Sequence, residues 1–204
     1  MAYTIDTSEV KFDQIGEYTY TVKYQGQIKW YCEARADILS KNIDILPLLK
    51  QAGLVKIQLG GESGCQEILD AYKKGVTIEQ LEFVTQKIVE AGIPYVYANF
   101  IIGGAFETES TFDRTLDFAK KLMHIAPGHV EVSSSVFTPT PGSPMYNNPD
   151  EYGLKIIDKR CIRGASCSFV FAETEHLNQY KIWQLRNKFN NEIEREYSLL
   201  LKNI

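Results

Sequence analysis

In four runs of this 204-residue chain, side chains able to bind a ligand alternate with apolar ones. Tyr31, Glu33 and Arg35 recur in the first, Lys56, Gln58 and Glu62 in the second, Tyr95, Tyr97 and Asn99 in the third, and Glu131, Ser133, Ser135 and Phe137 in the fourth. Between them lie Trp30, Cys32 and Ala34, then Val55, Ile57 and Leu59, then Val96, Ala98, Phe100 and Ile102, then Val130, Val132 and Val136. Successive side chains of a strand point to opposite faces, so each run predicts a strand with one apolar and one polar face. The polar face is too rich in charge, amide and hydroxyl for a dry core unless its groups pair with one another or with a ligand.

Four elements are predicted to carry these faces: strands over 28–35, 54–60, 93–102 and 129–137, with a candidate fifth strand over 166–172. Helical patterns fall between them. Asn42 is expected to cap a helix through Ala52, with Pro47 as a flaw inside it and Gly53 as its stop. Thr77 caps a helix carrying Ile78, Leu81, Val84 and Ile88 and ended by Gly92. Thr108 or Ser110 opens another, with Phe112, Leu116, Ala119 and Met123 on one face, and an amphipathic helix over about 178–201 closes the chain. Strand–helix alternation of this kind makes a parallel α/β sheet. A doubly wound sheet buries both faces and reads as nearly continuous apolar runs. The two-faced runs fit a partial (β/α) barrel with a polar concave face, or else a sheet with one solvated face. Residues 1–27, polar and rich in Tyr and Thr with a Gln25-Gly26 turn signal, form a separate segment with hairpin character, and 28–204 form the partial barrel with its terminal helix.

Parallel barrels gather their sites where strands end. Here those ends hold Glu33 to Asp37, Leu59 to Gly64, Ile101 to Thr108, and Phe137 to Pro144, three of them rich in Gly or Pro. Glu107 and Thr108 are equally suited to capping the helix that follows. Acidic residues outnumber basic ones, 26 to 22, which argues against a nucleic-acid face. No apolar run is long enough to span a bilayer, and the N-terminus has no secretory pattern, so the expected compartment is the cytoplasm. Cys32, Cys65, Cys161 and Cys167 have spacings of neither a zinc nor an iron–sulfur site, and no metal ligand is assigned. His124, His129 and His176 are dispersed away from the strand ends, which disfavours a hydrolase, and Lys56 as a Schiff-base lysine competes with its pairing to a carboxylate such as Glu131.

Taken in order, WYCEARAD (30–37), LGGES (59–63), FIIGGAFET (100–108) and FTPTPGSPMY (137–146) followed by EYGL (151–154) resemble the second half of a radical S-adenosylmethionine enzyme core. The branch most similar is the one associated with a cobalamin-binding domain, the anaerobic magnesium-protoporphyrin cyclase type. The resemblance, over about residues 28–157, implies half of a six-stranded partial barrel that holds S-adenosylmethionine against a [4Fe-4S] cluster. In that family the cluster's electron cleaves the sulfonium and a 5′-deoxyadenosyl radical takes hydrogen from a substrate.

The resemblance further implies that Glu62 meets the ribose or the methionyl amino group and Arg35 the methionyl carboxylate. Ile101, Gly103 and Glu107 would pack by the adenine, with Phe137 and Pro139 at its edge. Gln58, Ser63, Asn99 and Ser135 complete the implied cofactor-binding set, and no catalytic residue is assigned. The family's Cys-x3-Cys-x2-Cys loop occurs nowhere in the sequence. The chain is therefore expected to be a part of a larger enzyme, inactive alone. Its expected partners are a small-molecule substrate and a cluster-bearing N-terminal region in cis or as a separate chain, with a cobalamin domain only in a longer parent and a homodimer compatible with the open sheet edge. The alternative is a degenerate half-barrel serving as a binding or structural subunit.

Overall fold

The structure, a computed structural model, describes residues 4–6, 21–23, 28–158 and 169–202. Its centre is a four-stranded parallel sheet of β3 (Trp30–Ala34), β4 (Leu54–Glu62), β5 (Tyr95–Ile102) and β6 (Val130–Val136), paired in chain order. Two short strands precede it, β1 (Thr4–Asp6) and β2 (Thr21–Lys23), which pair antiparallel, and the expected Gln25-Gly26 turn lies outside the described residues. Each parallel strand is laid beside the previous one after a helical return. The connections are α1 (Ala36–Leu39) with α2 (Leu46–Gln51), then α3 (Gln66–Ala71) with α4 (Ile78–Glu90), then α5 (Glu109–Ile125). This is the partial (β/α) barrel expected from the alternating runs. After β6 come α6 (Pro144–Asn147), an antiparallel pair of β7 (Leu154–Ile156) and β8 (Ala172–Thr174), and the terminal helix α7 (Gln179–Leu201).

The helices cover one face only. Leu59, Val96, Ala98, Phe100, Ile102 and Val130 point to it and are fully buried under Leu81, Val84 and Ile88 of α4, Phe112, Ala119 and Leu122 of α5, and Ile182 and Phe189 of α7. Phe100 is the hub: its ring centroid lies 6.3 Å from Phe118 and 5.8 Å from Phe189, joining strand, α5 and α7. Thr77 and Thr108 open α4 and α5 through reciprocal capping boxes with Gln80 and Thr111, which satisfy two otherwise orphaned amides at each start. Thr108 rather than Ser110 is thus the cap.

Three sequence expectations change. Asn42 does not cap through its side chain, whose amide donates to the Ile38 carbonyl at 2.8 Å, and the segment divides into a 3-10 turn, Ile43–Ile45, and α2. Pro47 then falls in the first turn of α2, where no amide is needed, and is no flaw. In β4, Trp30 pairs with Leu54 and Tyr31 with Lys56, so Val55 is an extra residue that breaks the alternation, and Leu54 takes the fully buried place. The run 166–172 does not extend the parallel sheet: 166–168 lie outside the described residues, and Ala172 opens β8, which pairs antiparallel with β7.

Because Phe100 joins three elements, Phe100→Ala is expected to destabilise the fold by about 3–5 kcal/mol, read as a fall in urea midpoint at unchanged slope.

Candidate functional site

On the helix-free face the polar side chains pair across the strands. Lys56 Nζ lies 2.6 Å from Glu131 Oε2 and 4.6 Å from the centroid of the Tyr97 ring. Gln58 donates to Glu33 at 3.3 Å, Ser133 donates to Asn99 at 3.0 Å, Asn99 donates to Ser135 at 3.2 Å, and the Tyr97 and Ser133 hydroxyls share a hydrogen bond. The inward lysine is thus paired with the carboxylate the sequence suggested.

Towards the strand ends this lattice opens. Glu33, Arg35, Gln58, Gly60, Glu62, Lys74 and Asn99 line a cavity of about 290 Å³. Gly60 pairs with Asn99 and Glu62 with Phe100, so Gly61 is an extra residue, and the bulge leaves Glu62 at φ 54. The bulge turns the Glu62 carboxylate back over Gly60, where it forms an ion pair with Lys74. A Cβ at residue 60 would stand 2.5 Å from Lys74 Nζ and 2.6 Å from Glu62 Oε1, so the bare α-carbon makes room for both charges. Arg35 hydrogen-bonds Asp37 through two nitrogens, each at 3.0 Å, and donates to the Lys74 carbonyl. The hydrogen bonding from Arg35 to Asp37 is the main reason the Asp37 carboxyl is held below its usual range. Lys74 therefore touches two of the charged residues singled out from the sequence, Arg35 and Glu62, although nothing in the strand pattern marks it.

The other expected residues are placed differently. Ser63 turns to the helix side, fully buried, where its hydroxyl meets that of Thr115 at 2.9 Å and accepts from the Cys65 amide at 3.2 Å. Its oxygen is thus engaged in holding β4 to α5, apart from the strand-end cavity. Arg35, expected inward, stands at the rim, half its side chain in solvent. Ser135 joins the set only through Asn99. Ile101 and Phe137 pack into a small second apolar cluster with Ala105, Tyr152, Leu154 and Ala172, and Phe137 donates its amide to the Ile102 carbonyl at 2.8 Å. Pro139 is buried beyond it. Gly103, at φ 82, is covered by Ile182 of α7.

Glu107 is a buried carboxyl, 1% exposed, that accepts from the Gly103 amide, while its own carbonyl accepts from Thr174 Oγ1 at 2.9 Å. Burial pushes its pKa up to about 8, so it is protonated at neutral pH. It holds the loop after β5, and Thr108 beside it supplies the helix cap. Cys65, buried, has its thiol pushed up to about 12 by desolvation, and neither it nor Cys32, also raised by burial, is poised as a thiolate. Among the described residues no three His, Cys, Asp or Glu side chains stand together as a metal site, and no helix is long and apolar enough to cross a membrane.

Among the described residues three larger hollows lie around the sheet, one of them, about 520 Å³, at the strand starts among Lys29, Lys50, Gly53 and Pro94. Another, of about 700 Å³, lies beside β3 among Ile38, Ile45, Leu48 and Leu49, and one of about 540 Å³ lies between β6 and α7 around Arg186 and Asn190. The hollow beside β3 shares Glu33 and Arg35 with the strand-end cavity, but none of the three reaches Glu62 or Lys74.

A parallel α/β sheet with helices on one face, polar groups on the other and a charged cavity at its strand ends is the architecture of a partial (β/α) barrel. Residues 10–119, more than half of the chain, match the model of the radical SAM superfamily, and the chain belongs to that family. Among curated relatives it is 33% identical over 93 residues to the anaerobic magnesium-protoporphyrin IX monomethyl ester cyclase of Rubrivivax gelatinosus, covering 46% of this chain and 17% of that protein. It is 28% identical over 120 residues to the enzyme of the same name from Cereibacter sphaeroides, covering 59% and 19%. The chain thus spans less than a fifth of the length of these relatives. Among solved structures, coproporphyrinogen III oxidase (HemN) of Escherichia coli, described as a radical SAM enzyme, superposes with a TM-score of 0.47 at 15% identity, over 62% of this chain and 33% of that one.

Glu107 also sets a pH dependence. A folded carboxyl with pKa about 8 binds its proton more tightly than an unfolded one near pH 4.3. Its contribution is full below that lower value and is lost as pH rises towards 8, at up to about 1.4 kcal/mol per pH unit. Glu107→Gln, which keeps an acceptor for the Gly103 amide, is expected to flatten urea-derived stability between pH 5 and 8, where the parent declines.

Proposed function

We propose that this chain is the S-adenosylmethionine- and substrate-binding part of a radical S-adenosylmethionine enzyme, an oxidoreductase or methyltransferase-like protein. It works when a cluster-bearing region joins it, in cis or as a separate chain. The observation that carries this reading is the meeting of Arg35, Gln58, Glu62, Lys74 and Asn99 on one strand-end cavity. The cofactor offers an ammonium, a carboxylate and a ribose diol. Glu62 can accept hydrogen bonds from the ammonium or the ribose hydroxyls, Arg35 and Lys74 present cationic donors to the carboxylate, and the Asn99 amide can both donate and accept.

These residues bind and orient. Bound against a [4Fe-4S] cluster, the cofactor supplies the radical that takes hydrogen from substrate. The described residues offer no thiolate triplet for that cluster, so its ligands are assigned to the joining region. The edge of β3 supports where that region docks. Among the described residues β3 pairs only with β4, and Ile38, Ile45 and Leu48 beside it are 57%, 42% and 64% exposed. A cobalamin domain, where the parent has one, also lies outside this chain, and the assigned compartment is the cytoplasm.

A second reading, a degenerate half-barrel with a binding or structural role, is favoured by the pairing of Lys56 with Glu131 and of Asn99 with Ser133 and Ser135, which satisfies much of the polar face without a ligand.

Calorimetric titration of the folded chain with S-adenosylmethionine separates the two. The first reading expects saturable binding, weakened about ten- to a hundredfold by Glu62→Ala and by Arg35→Ala through loss of a charge-assisted hydrogen bond. Gly60→Ala, which intrudes on the ion pair, is expected to weaken it as well. Absence of binding, or binding indifferent to these substitutions, supports the second reading.

A further inference from the structure

We propose that Tyr72 is a positioning residue that ties the turn carrying Lys74 to the loop of Gly103–Glu107, so that the strand ends of β4 and β5 are set together. α3 ends at Ala71, and the chain then reverses through Lys73 at φ 52 and Gly75 at φ 65. Within this turn Lys74 pairs with Glu62 through its ammonium and accepts from Arg35 at its carbonyl. Whatever fixes the turn therefore fixes the neighbours of both charged residues of the cavity.

Tyr72 fixes it from the next loop. Its ring packs onto the second apolar cluster, against residues that include Ala105 and Phe137. Its hydroxyl is turned towards the backbone of the loop at Ala105, a residue buried with 0% exposure. The hydroxyl lies where a side chain of residue 104 would stand, so a Cβ there would run into it, and Gly104 leaves the space free. The loop is clamped from its other side as well: Gly103 donates to the Glu107 carboxyl, Phe106 donates to the Tyr152 carbonyl at 3.1 Å, and Thr174 donates to the Glu107 carbonyl at 2.9 Å. Tyr72 is then the member of this clamp that reaches back to Lys74. Its phenol is pushed above its usual range by burial and by the Glu107 and Glu62 charges, so the oxygen stays protonated and the contact does not switch with pH in the neutral range.

This coupling rests on the proposed function only for its effect on the cofactor, and its test does not need the cofactor. Tyr72→Phe keeps the ring and removes the oxygen. Amide hydrogen exchange is expected to rise about tenfold at 103–107, from loss of the hydroxyl that fills the space beside Gly104, and to rise at 73–76, while α4 stays at its parent rate. Lys74→Ala is expected to raise exchange at 103–107 in the parent and to add nothing further in Tyr72→Phe.

Parent-level exchange at 103–107 in Tyr72→Phe, an increase that spreads equally to α4, or an undiminished effect of Lys74→Ala in that background would each overturn the coupling. Titration with S-adenosylmethionine then separates the two claims: failure of the parent to bind sinks the functional reading, whereas exchange alone decides the role of Tyr72.

Discussion

A parallel sheet covered by helices on only one side must satisfy its other side without a core. This constraint governs the whole molecule. The apolar half of each strand is consumed by α4, α5 and α7, and the burial of Phe100, Leu59 and Ile102 supplies the cohesion. The other half carries charges and amides, and these neutralise one another sideways, from strand to strand, as Lys56 does with Glu131. Such half-exposed pairs contribute little to stability, because water competes for the same groups and ordering the long side chains costs entropy. Their main consequence is geometric: side chains are held upright on a surface that would otherwise be loosely ordered.

At the ends of β4 and β5 that lateral order gives way to a cavity, and the change has an identifiable cause. A bulge at Gly61 rotates Glu62 out of strict alternation and brings its carboxylate over the bare Gly60. Lys74 arrives from the turn after α3 and balances the charge. The pairing is exchangeable in principle, since an ammonium on a ligand offers Glu62 the same partner that Lys74 does, and the displaced lysine is then free to meet an anionic group. Beneath the rim, the loop after β5 is held by the bond from the Gly103 amide to a protonated Glu107 and by the Tyr72 hydroxyl packed against Gly104.

Much of this was legible in the sequence because strands and amphipathic helices write their periods directly. The four parallel strands and the Thr77 cap follow from alternation and capping chemistry, whereas the choice of Thr108 over Ser110 and of Glu131 as the partner of Lys56 needed the structure. The differences have local causes. A bulge inserts one residue without changing residue type, so Val55 was placed on the buried face and the twist of Glu62 went unseen. Ser63 was read as facing ligand because a serine next to a strand-end glutamate reads equally well as a ligand contact or a helix-side hydrogen bond. Lys74 and Tyr72 lie on a turn after a helix of six residues, too short to show a period, and only tertiary packing brings them to Glu62 and Ala105. The β7–β8 pair is built of three-residue strands, below the length at which alternation is informative.

The most direct measurement of the central claim is a backbone amide NMR titration of the isotope-labelled chain with S-adenosylmethionine. The account predicts saturable shifts concentrated at Gly60, Glu62, Lys74 and Asn99, with the α2 and α7 hollows unaffected. Shifts confined to the apolar hollow around Ile45 and Leu48, or to that around Asn190, with the Glu62 region unmoved at saturation, would contradict it.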